Sequence, residues 1–495
     1  MKSPDYLDAF LRMATEQPTH PAVVDVGQVT TYGQLLSKAD AIVAACAGLD
    51  APAMLIGLPQ GADAYAAMFA AGLAGGYYAP VNANAPIDKI RSIASRLAPN
   101  VVVARPAFFD AIRSLLPQAR LIDPAMLEPN SGERAPADKR HRLAYVIFTS
   151  GSTGEPKGVV ISRDALAHYV AWIGSAMQIT PADRWSQHPN IGFDLSVMDI
   201  YGALCHGATL FPITSDEDRV LPALSIARNQ LTIWNSVPSV VGLMLQAHQV
   251  TGTNLASLRL LTFCGEPLLP QHLDALFAAR PDVTVQNTYG PTEATVSCTQ
   301  IRLHSGNYKR YIQSSVAIGE AIPGMDLLLV GGQSETEGEI VITGPQVADG
   351  YWKDEQGTQR SFRSVSIGGH KVRGYFTGDW AERRDDTLYF RERVDHQVKI
   401  GGFRIELDEV AEAIRDCGWH NVCVIKIDDK LMAVLEEFPG RSLDDGALRK
   451  QLQDKLADYA IPNRFLEIER MPRNANDKID RQAVTELVSS RGLVS

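Results

Sequence analysis

The 495-residue chain is predicted to be an α/β protein with a large, multi-subdomain N-terminal region of mostly parallel sheets and a small C-terminal α+β domain. Short β-branched runs alternate with longer helical patterns over most of the chain, which is typical of parallel βαβ units. The length exceeds what one hydrophobic core usually supports. Because the pattern changes after Glu406, we place the domain boundary near Asp395, between residues 1–394 and 395–495.

The elements of the N-terminal half follow from its apolar runs. Short runs predict strands at Ala53–Leu58, Val101–Ala104 and Ala144–Phe148, with a helix at Ile87–Leu97 between them. The longest apolar run, Tyr65–Val81, is interrupted by Gly75, Gly76 and Pro80. It therefore predicts a buried helix followed by a strand and not a membrane span.

The later elements are of three kinds. The polar stretch Leu303–Ser315 predicts a surface loop. Antiparallel strands with turns are predicted at Gly338–Thr343, Gly344–Trp352 and Tyr389–Ile400. After Glu406 the pattern predicts a helix (LDEVAEAI), strands at Val422–Ile427 and Leu431–Glu436, and a second helix from Leu443.

Composition and charge exclude several classes of protein. The formal net charge of -10 disfavours a nucleic-acid partner, because such proteins usually carry a basic face. The first fifteen residues contain Asp5 and Asp8 where an export signal would be apolar. The six cysteines form no CxxC pair, which favours reduced thiols. We therefore expect a cytoplasmic protein without a membrane partner.

The most informative segment follows the predicted strand Ala144–Phe148. It reads FTSGSTGEPKG from Phe148 to Gly158. Glycines and hydroxyl side chains before a lysine suit a loop that wraps a polyphosphate with its N–H and O–H groups. It is not a Walker A loop, which needs Ser or Thr after Gly-Lys. The alternative interpretation is a Gly/Ser turn without a function.

The segment TSGSTGEPKG resembles the signature of the adenylate-forming superfamily, which includes acyl-CoA synthetases, luciferases and the adenylation domains of nonribosomal peptide synthesis. Further strings resemble that family in the same order: Asn287–Glu293 (NTYGPTE), Gly338–Val341 (GEIV), Tyr375–Asp379 (YFTGD), Arg393–Gly402 (RVDHQVKIGG), Phe403–Glu406 (FRIE) and Asn476–Arg481 (NDKIDR). The resemblance covers essentially the whole chain. It implies an ATP-dependent ligase whose small C-terminal domain is mobile.

The resemblance implies roles for individual residues in binding ATP and Mg²⁺. Residues implied to hold the phosphates are Thr149, Ser150, Gly151, Ser152, Thr153, Gly154 and Lys157. Residues implied to line the adenine are Gly265, Glu266, Pro267, Asn287 and Thr288, with Tyr289 stacked on it. Asp379, helped by Arg393, would accept the ribose hydroxyls, Thr292 would lie near the α-phosphate, and Glu293 would ligate Mg²⁺.

The C-terminal domain is implied to carry the catalytic lysine. Lys478 resembles the family lysine that bridges the substrate carboxylate and the nucleotide. Asp477 stands before it where glycine is usual in the family. Asp395 resembles the hinge about which the domain rotates, and Lys399–Gly402 the loop then presented to an incoming thiol.

The stretch Gly192–Ala203 (GFDLSVMDIYGA) bears on the substrate. In amino-acid-activating members an aspartate at the place of Asp194 pairs with the α-ammonium group. The alternative interpretation is that Asp194 caps the helix that follows it. The other implied pocket residues are Leu195, Met198, Asn235, Thr262, Cys264, Thr288, Val296 and Ser297. The strings FDLSVMD, FCGE and NTYGPTEATV, which contain many of these residues, resemble the D-alanine–carrier protein ligases.

The resemblance therefore implies activation of a small amino acid and its transfer to the phosphopantetheine arm of a separate carrier protein, with a D-alanine-like substrate favoured. Three polar pocket residues, Asn235, Thr262 and Ser297, keep serine open as a substrate, and proline-specific ligases share the pattern too. An acyl- or aryl-CoA synthetase, with coenzyme A as the acceptor, is the main alternative. A nucleotide-binding protein without ligase chemistry is the alternative from another class.

Overall fold

The computed structural model describes residues 4–129, 141–149, 156–393, 397–427, 429–437, 442–473 and 479–490. It divides into two compact units. The larger comprises Met1–Ala83, Ala94–Phe148 and Gly158–Val394, and the smaller comprises Asn84–Ile93, Thr149–Lys157 and Asp395–Ser495.

The helices and strands are bounded as follows. The helices are α1 (Tyr6–Glu16), α2 (Tyr32–Ala45), α3 (Ala62–Leu73), α4 (Ile87–Leu97), α5 (Pro106–Ile112), α6 (Arg163–Met177), α7 (Leu195–Leu204), α8 (Asp216–Val220), α9 (Pro222–Asn229), α10 (Ser239–Gln246), α11 (Pro270–Ala279), α12 (Glu355–Ser361), α13 (Leu407–Asp416), α14 (Asp445–Gln453) and α15 (Arg481–Ser490). The strands up to residue 162 are β1 (Pro21–Asp25), β2 (Gln28–Thr31), β3 (Ala53–Gly57), β4 (Tyr77–Pro80), β5 (Val101–Ala104), β6 (Arg120–Ile122), β7 (Leu143–Thr149) and β8 (Lys157–Ser162). Those between residues 184 and 351 are β9 (Arg184–Gln187), β10 (Thr209–Pro212), β11 (Ile233–Ser236), β12 (Leu260–Phe263), β13 (Thr284–Tyr289), β14 (Thr299–Leu303), β15 (Glu320–Ala321), β16 (Asp326–Gly331), β17 (Glu337–Thr343) and β18 (Gly350–Tyr351). The last are β19 (Phe362–Ile367), β20 (His370–Arg384), β21 (Thr387–Arg393), β22 (Gln397–Ile400), β23 (Phe403–Glu406), β24 (Val422–Ile427), β25 (Lys430–Glu436) and β26 (Arg464–Ile468).

A nine-stranded sheet forms the centre of the larger unit, in the order β15-β14-β13-β12-β11-β9-β10-β1-β2. Its inner strands from β13 to β1 run parallel. Antiparallel strands β14, β15 and β2 close its two edges. The mostly parallel sheet predicted from the alternating pattern is confirmed.

A seven-stranded sheet has the order β18-β8-β7-β4-β3-β5-β6. The run Tyr65–Val81 supplies the end of α3 and all of β4, as predicted. Helix α3 is buried on all sides because its residues from Ala64 to Leu73 are apolar or glycine. The strand and helix predicted at Val101–Ala104 and Ile87–Leu97 have those bounds as β5 and α4.

An antiparallel sheet of β16, β17, β20, β19 and β21 completes the larger unit. The predicted strand Gly338–Thr343 lies within β17. Of the strands with turns predicted over Gly344–Trp352, β18 is the paired strand, and most of the remaining residues form turns and loop. Gly344 has φ of 122°, and the chain leaves the antiparallel sheet there. Strand β18 pairs with β8 in the seven-stranded sheet.

The C-terminal segment of the smaller unit is α+β. It contains the hairpin β22-β23 and a three-stranded sheet of β24, β25 and β26. Helix α13 packs its apolar side, including Val410 and Ile414, into the core of this segment. The predicted helix–strand–strand–helix order after Glu406 is confirmed by α13, β24, β25 and α14. Within the described part of the chain no helix is long and apolar enough to cross a membrane.

Candidate active site

Four parallel strands of the nine-stranded sheet place their carboxyl ends side by side. After β9 the chain enters the loop to Asp194, β11 ends with Asn235 and Ser236, β12 leads into Cys264, and β13 ends with Tyr289. Open α/β sheets bind ligands at this edge. Strand pairing aligns Asn235 with Thr262, and Phe263 with Asn287, across adjacent strands. The topology thus collects most of the predicted pocket and adenine residues at one edge.

Asp194 lies at the start of α7, half-buried, with helical φ and ψ of -62° and -29°. Its side chain accepts no capping hydrogen bond from the helix backbone. An N-cap residue normally has extended backbone angles and does accept such a bond, so the alternative interpretation as a cap is not supported. Burial is the main cause that raises the pKa values of Tyr145 and Tyr169, and the charge of Asp194 makes a smaller contribution to both.

A buried chain of hydrogen bonds connects α7 to strands β11 and β12. The Thr262 hydroxyl donates to Asn235 Oδ1 at 2.7 Å, and Asn235 Nδ2 donates to Asp199 Oδ1 at 2.6 Å. The Asn235 backbone N–H also donates to Ser186 Oγ at 3.1 Å. All of these side chains are fully buried. The polar atoms of Asn235 and Thr262 are therefore engaged within the protein.

Asp199 is the acidic member of this chain. Burial raises the pKa of its carboxyl well above the usual range, and the hydrogen bond from Asn235 opposes that shift without cancelling it. Desolvation disfavours the charged form of the carboxyl group, which is the physical cause of this upward shift of the pKa. Asp199 was absent from the predicted site, although a lone carboxylate within the apolar helix LSVMDIYGAL was a signal for a buried partner.

A second group of buried side chains surrounds Ser297. Its hydroxyl donates to Thr288 Oγ1 at 3.2 Å and contacts Cys264 Sγ at 3.7 Å. Thr288 in turn donates to the carbonyl of Phe263 at 3.0 Å. The Tyr169 hydroxyl reaches Ser297 Oγ at 3.5 Å. The structure thus brings together Cys264, Thr288 and Ser297, as the motif match predicted.

The remaining predicted pocket residues are apolar and buried. Leu195, Met198 and Val296 are at most 5% exposed. Met198 Sδ lies 3.8 Å from the Thr262 hydroxyl, which joins this apolar set to the polar chain below.

The predicted ribose end of the site is a hydrogen-bonded triad. The Tyr289 hydroxyl donates to Asp379 Oδ2 at 2.6 Å, and Arg393 donates to Asp379 Oδ1 at 2.5 Å. The Thr377 hydroxyl accepts from the Asp379 N–H at 2.9 Å, which fixes the backbone. Burial, followed by the charge of Asp379, raises the pKa of Tyr289 well above its usual range. Tyr289 therefore stays a donor at neutral pH.

The predicted adenine residues lie between β12, β13 and the following loops. Asn287 Nδ2 donates to the Ala317 carbonyl at 2.9 Å, and Glu266 Oε2 accepts from the Ser239 N–H at 3.1 Å. Gly265 has φ of 98°, a conformation that side chains rarely adopt. A Cβ atom there would also lie 3.3 Å from Val237. Glycine at this position lets the backbone pass close to its neighbours.

Thr292 and Glu293 begin a short 3₁₀ turn after β13, and both are buried. The Tyr351 hydroxyl donates to Glu293 Oε1 at 2.9 Å, and the Ala348 N–H donates to the Glu293 carbonyl at 2.9 Å. The carboxylate is therefore oriented by a segment far along the chain. Tyr351 was not predicted as part of the site, and no local pattern identifies it.

Comparison with known proteins decides the family. Residues 10–352, more than half of the chain, match the model of the AMP-binding enzyme family. The chain belongs to that family. As an AMP-binding enzyme it is an adenylate-forming ligase, and the adenylate-forming resemblance of its motifs is confirmed.

Curated relatives of this AMP-binding enzyme match over nearly its full length. The D-alanine–D-alanyl carrier protein ligase of Bacillus licheniformis is 30% identical over 98% of the chain and 99% of that protein. The protein of the same name from Staphylococcus aureus strain MRSA252 is 29% identical over the same shares. Among solved structures, the Vibrio cholerae adenylation domain AlmE in complex with glycyl-adenosine-5′-phosphate is 26% identical. It has a TM-score of 0.85 and covers 98% of each chain.

The structure describes only the two ends of the phosphate loop that the motif resemblance predicts. Thr149 ends β7, and its hydroxyl is buried without a hydrogen-bond partner among the described residues. A buried unpaired hydroxyl costs free energy unless a ligand or water completes it, so Thr149 fits a phosphate-binding role. Lys157 begins β8 and is half-buried. Other predicted residues lie outside the described ranges: Ser150, Gly151, Ser152, Thr153, Gly154, Asp395 and Lys478.

Proposed function

We propose that this AMP-binding enzyme activates a small amino acid with ATP, as its aminoacyl adenylate, and transfers it to the phosphopantetheine thiol of a separate carrier protein. A D-alanine-like substrate is favoured. The observation that carries the proposal is the position of Asp194, at the start of α7 and at the carboxyl edge of the parallel strands. A carboxylate at that edge suits a substrate ammonium group.

An ammonium group in a partly buried site needs a compensating carboxylate, because an unpaired buried charge is strongly destabilising. An acyl- or aryl-CoA synthetase has no substrate amine and no need for this residue. The position of Asp194 beside the buried Leu195 and Met198 supports an amino acid held at its amine end, with its side chain against these apolar groups.

The hydrogen bonds around the side-chain pocket support a substrate without a polar side chain. Asn235 is engaged by Thr262 and Asp199, and Ser297 by Thr288. A substrate hydroxyl would compete with bonds that already exist, and breaking a buried bond without replacement costs free energy. Alanine or glycine is therefore favoured over serine. The names of the Bacillus and Staphylococcus relatives support D-alanine and a carrier protein acceptor.

The nucleotide would lie along the same edge. Asp379, held by Tyr289 and Arg393, would accept the ribose hydroxyls, and the ring of Tyr289 would contact the adenine. Thr149 and Lys157, with the loop between them, would bind the phosphates. Residues that would enclose the base are Gly265, Glu266, Pro267, Asn287 and Thr288.

Glu293 fits a Mg²⁺ ligand, because its buried carboxylate supplies the hard oxygen donor that this ion prefers. Tyr351 orients that carboxylate. Bound Mg²⁺ would supply positive charge to the phosphate oxygens. Thr292 would hold the α-phosphate region, and Lys478 would place a cation near the carboxylate that attacks it.

The division of labour between domains is part of the proposal. Residues 1–394 would bind ATP and the amino acid, and residues 395–495 would carry Lys478 and the Lys399–Gly402 loop. A rotation at Asp395 would exchange the lysine for the loop, so that one pocket serves both half-reactions. The reaction would take place in the cytoplasm.

The test is ATP–pyrophosphate exchange over a panel of D- and L-amino acids, fatty acids and aromatic acids. We expect the highest exchange with D-alanine and lower exchange with glycine and serine. Exchange restricted to fatty or aromatic acids would contradict the amino-acid proposal and favour a CoA synthetase. Loading of a holo-carrier protein, compared with coenzyme A, then identifies the acceptor. Exchange with proline or serine alone would assign the chain to those ligases.

A further inference from the structure

The turn after Glu293 has an unusual backbone. Thr295 and Val296 have φ of 55° and 70°, so two consecutive β-branched residues occupy the left-handed region. That conformation is strained for β-branched side chains. Such a turn persists only if its surroundings hold it. It joins Glu293 to Val296 and Ser297, so it connects the proposed metal ligand to the proposed side-chain pocket.

Gln346 forms hydrogen bonds with both ends of this turn. Its Nε2 donates to the Ser297 carbonyl at 2.8 Å and the Ala294 carbonyl at 3.2 Å, and approaches that of Thr295 at 3.5 Å. Its own backbone carbonyl accepts from the Thr295 hydroxyl at 2.7 Å. The side chain is fully buried. A single glutamine thus contacts both ends of the turn.

His168 fixes the orientation of the Gln346 amide. The His168 Nδ1 atom lies 2.9 Å from Gln346 Oε1. Because the amide nitrogen faces carbonyl oxygens, its oxygen must accept, and Nδ1 of His168 must be the donor. The amide cannot flip without losing bonds on both sides. This arrangement keeps both N–H donors directed at the turn.

The turn is also packed against Gly290. A Cβ atom at Gly290 would lie 2.6 Å from the Val296 carbonyl oxygen and 2.6 Å from the Ser297 Cα atom. The turn therefore has close backbone contact on one side and Gln346 on the other. A loss of the Gln346 bonds would let it relax away from Gly290 toward an unstrained conformation.

We propose that Gln346 is a positioning residue for amino-acid selection. It holds Thr295 and Val296 in the left-handed conformation and thereby sets where Val296 and Ser297 bound the side-chain pocket. The inference rests on the proposed function, because it assumes that this pocket receives the amino-acid side chain. It adds a residue outside the pocket that determines how large a side chain is accepted.

The experiment compares Gln346→Ala with wild type in pyrophosphate exchange, measured with D-alanine and with the longer D-2-aminobutyrate. We expect the ratio of kcat/KM for D-2-aminobutyrate to that for D-alanine to rise about tenfold, within the range typical of one methylene. His168→Ala removes the group that orients the Gln346 amide but keeps the amide itself. We therefore expect it to raise the same kcat/KM ratio by a smaller factor. Gln249→Ala truncates another buried glutamine, which accepts from the Ala223 N–H at 3.2 Å, and should leave the ratio unchanged.

A rescue separates positioning from a general loss of stability. Glycine adopts left-handed φ without strain, so Thr295→Gly in the Gln346→Ala background should restore part of the discrimination. An unchanged ratio in Gln346→Ala and His168→Ala, or no recovery in the double variant, would overturn the inference. These results require that wild type exchanges with amino acids. If it does not, the proposed function fails first, and the two failures are thus distinguishable.

Discussion

The Tyr289 hydroxyl donates to Asp379 Oδ2 at 2.6 Å, across 90 residues of sequence. Arg393 holds the other carboxylate oxygen. Tyr289→Phe removes the donor and keeps the ring. We expect the KM for ATP to rise by about tenfold, the effect of a lost hydrogen bond to a charged group of about 1.5 kcal/mol. The KM for the amino acid should stay the same in pyrophosphate exchange.

A matched control uses the same chemistry outside the site. The Tyr308 hydroxyl donates to Asp274 Oδ1 at 2.6 Å. Tyr308→Phe should change thermal stability without changing the KM for ATP. Equal effects of the two variants on that KM would mean that Tyr289 acts only through the stability of the fold.

Asp194 is expected to bind the substrate amine. Asp194→Ala should abolish amino-acid-dependent exchange, because leaving a buried ammonium unpaired costs on the order of 3–5 kcal/mol. ATP binding, measured by calorimetry, should remain near wild type. Asp444→Ala is the control, since Asp444 does cap its helix by accepting from the Ala447 N–H at 2.9 Å. It should lower stability by about 1 kcal/mol and leave exchange intact. Wild-type exchange by Asp194→Ala would refute the amine role.

Cys264 is expected to be a wall of the side-chain pocket, where its sulfur lies 3.8 Å from the Val296 carbonyl oxygen. Cys264→Ala should retain exchange with D-alanine and reduce discrimination against D-2-aminobutyrate by about 1–3 kcal/mol. Cys205→Ala changes another buried thiol, which contacts the Tyr6 carbonyl at 3.4 Å, and should keep the discrimination. Complete inactivation of a folded Cys264→Ala protein would instead indicate covalent chemistry at the thiol.

Asp199 is expected to make stability depend on pH. Burial raises its pKa in the folded state well above the usual value of 3.8. Above that value the unfolded chain has lost a proton that the folded protein keeps, so rising pH lowers wild-type stability at this residue. Asp199→Asn removes the effect. The free energy of unfolding of Asp199→Asn, relative to that of wild type, should therefore increase with pH above pH 4, by up to about 1.4 kcal/mol per pH unit. Chemical denaturation between pH 4 and pH 8 measures the difference, and parallel curves would contradict it.

Asp183 should respond with the opposite sign. Burial would raise its pKa, but hydrogen bonds from Arg259, Thr180 and Thr232 outweigh burial and lower it below 3.8. Its stabilising effect is therefore present at neutral pH and is lost as pH falls through the folded-state pKa. Asp183→Asn should cost about 1.5–3 kcal/mol at pH 7, the loss of hydrogen bonds to a charged group. The cost should shrink in acid. A constant cost over pH 3–7 would be evidence against this ion pair.

Local patterns in the sequence determined the elements and the family. The helix at Ile87–Leu97 and the strand at Val101–Ala104 were predicted with the bounds of α4 and β5, because periodicity and β-branching act over a few residues. The motif strings identified the family for the same reason. Of the strands with turns predicted over Gly344–Trp352, the strand is limited to β18, because a run of residue types does not specify backbone conformations such as the positive φ of Gly344.

The tertiary structure alone decided which groups meet. Gln346 contacts the turn at Thr295 from 51 residues away, and Tyr351 reaches Glu293 across 58. No periodicity relates such residues, because their contact depends on the order in which strands pair. The same holds for the raised pKa of Asp199, since desolvation is a property of the folded core. The sequence therefore determined the elements and the chemistry of the motifs, and only the fold determined the contacts that position them.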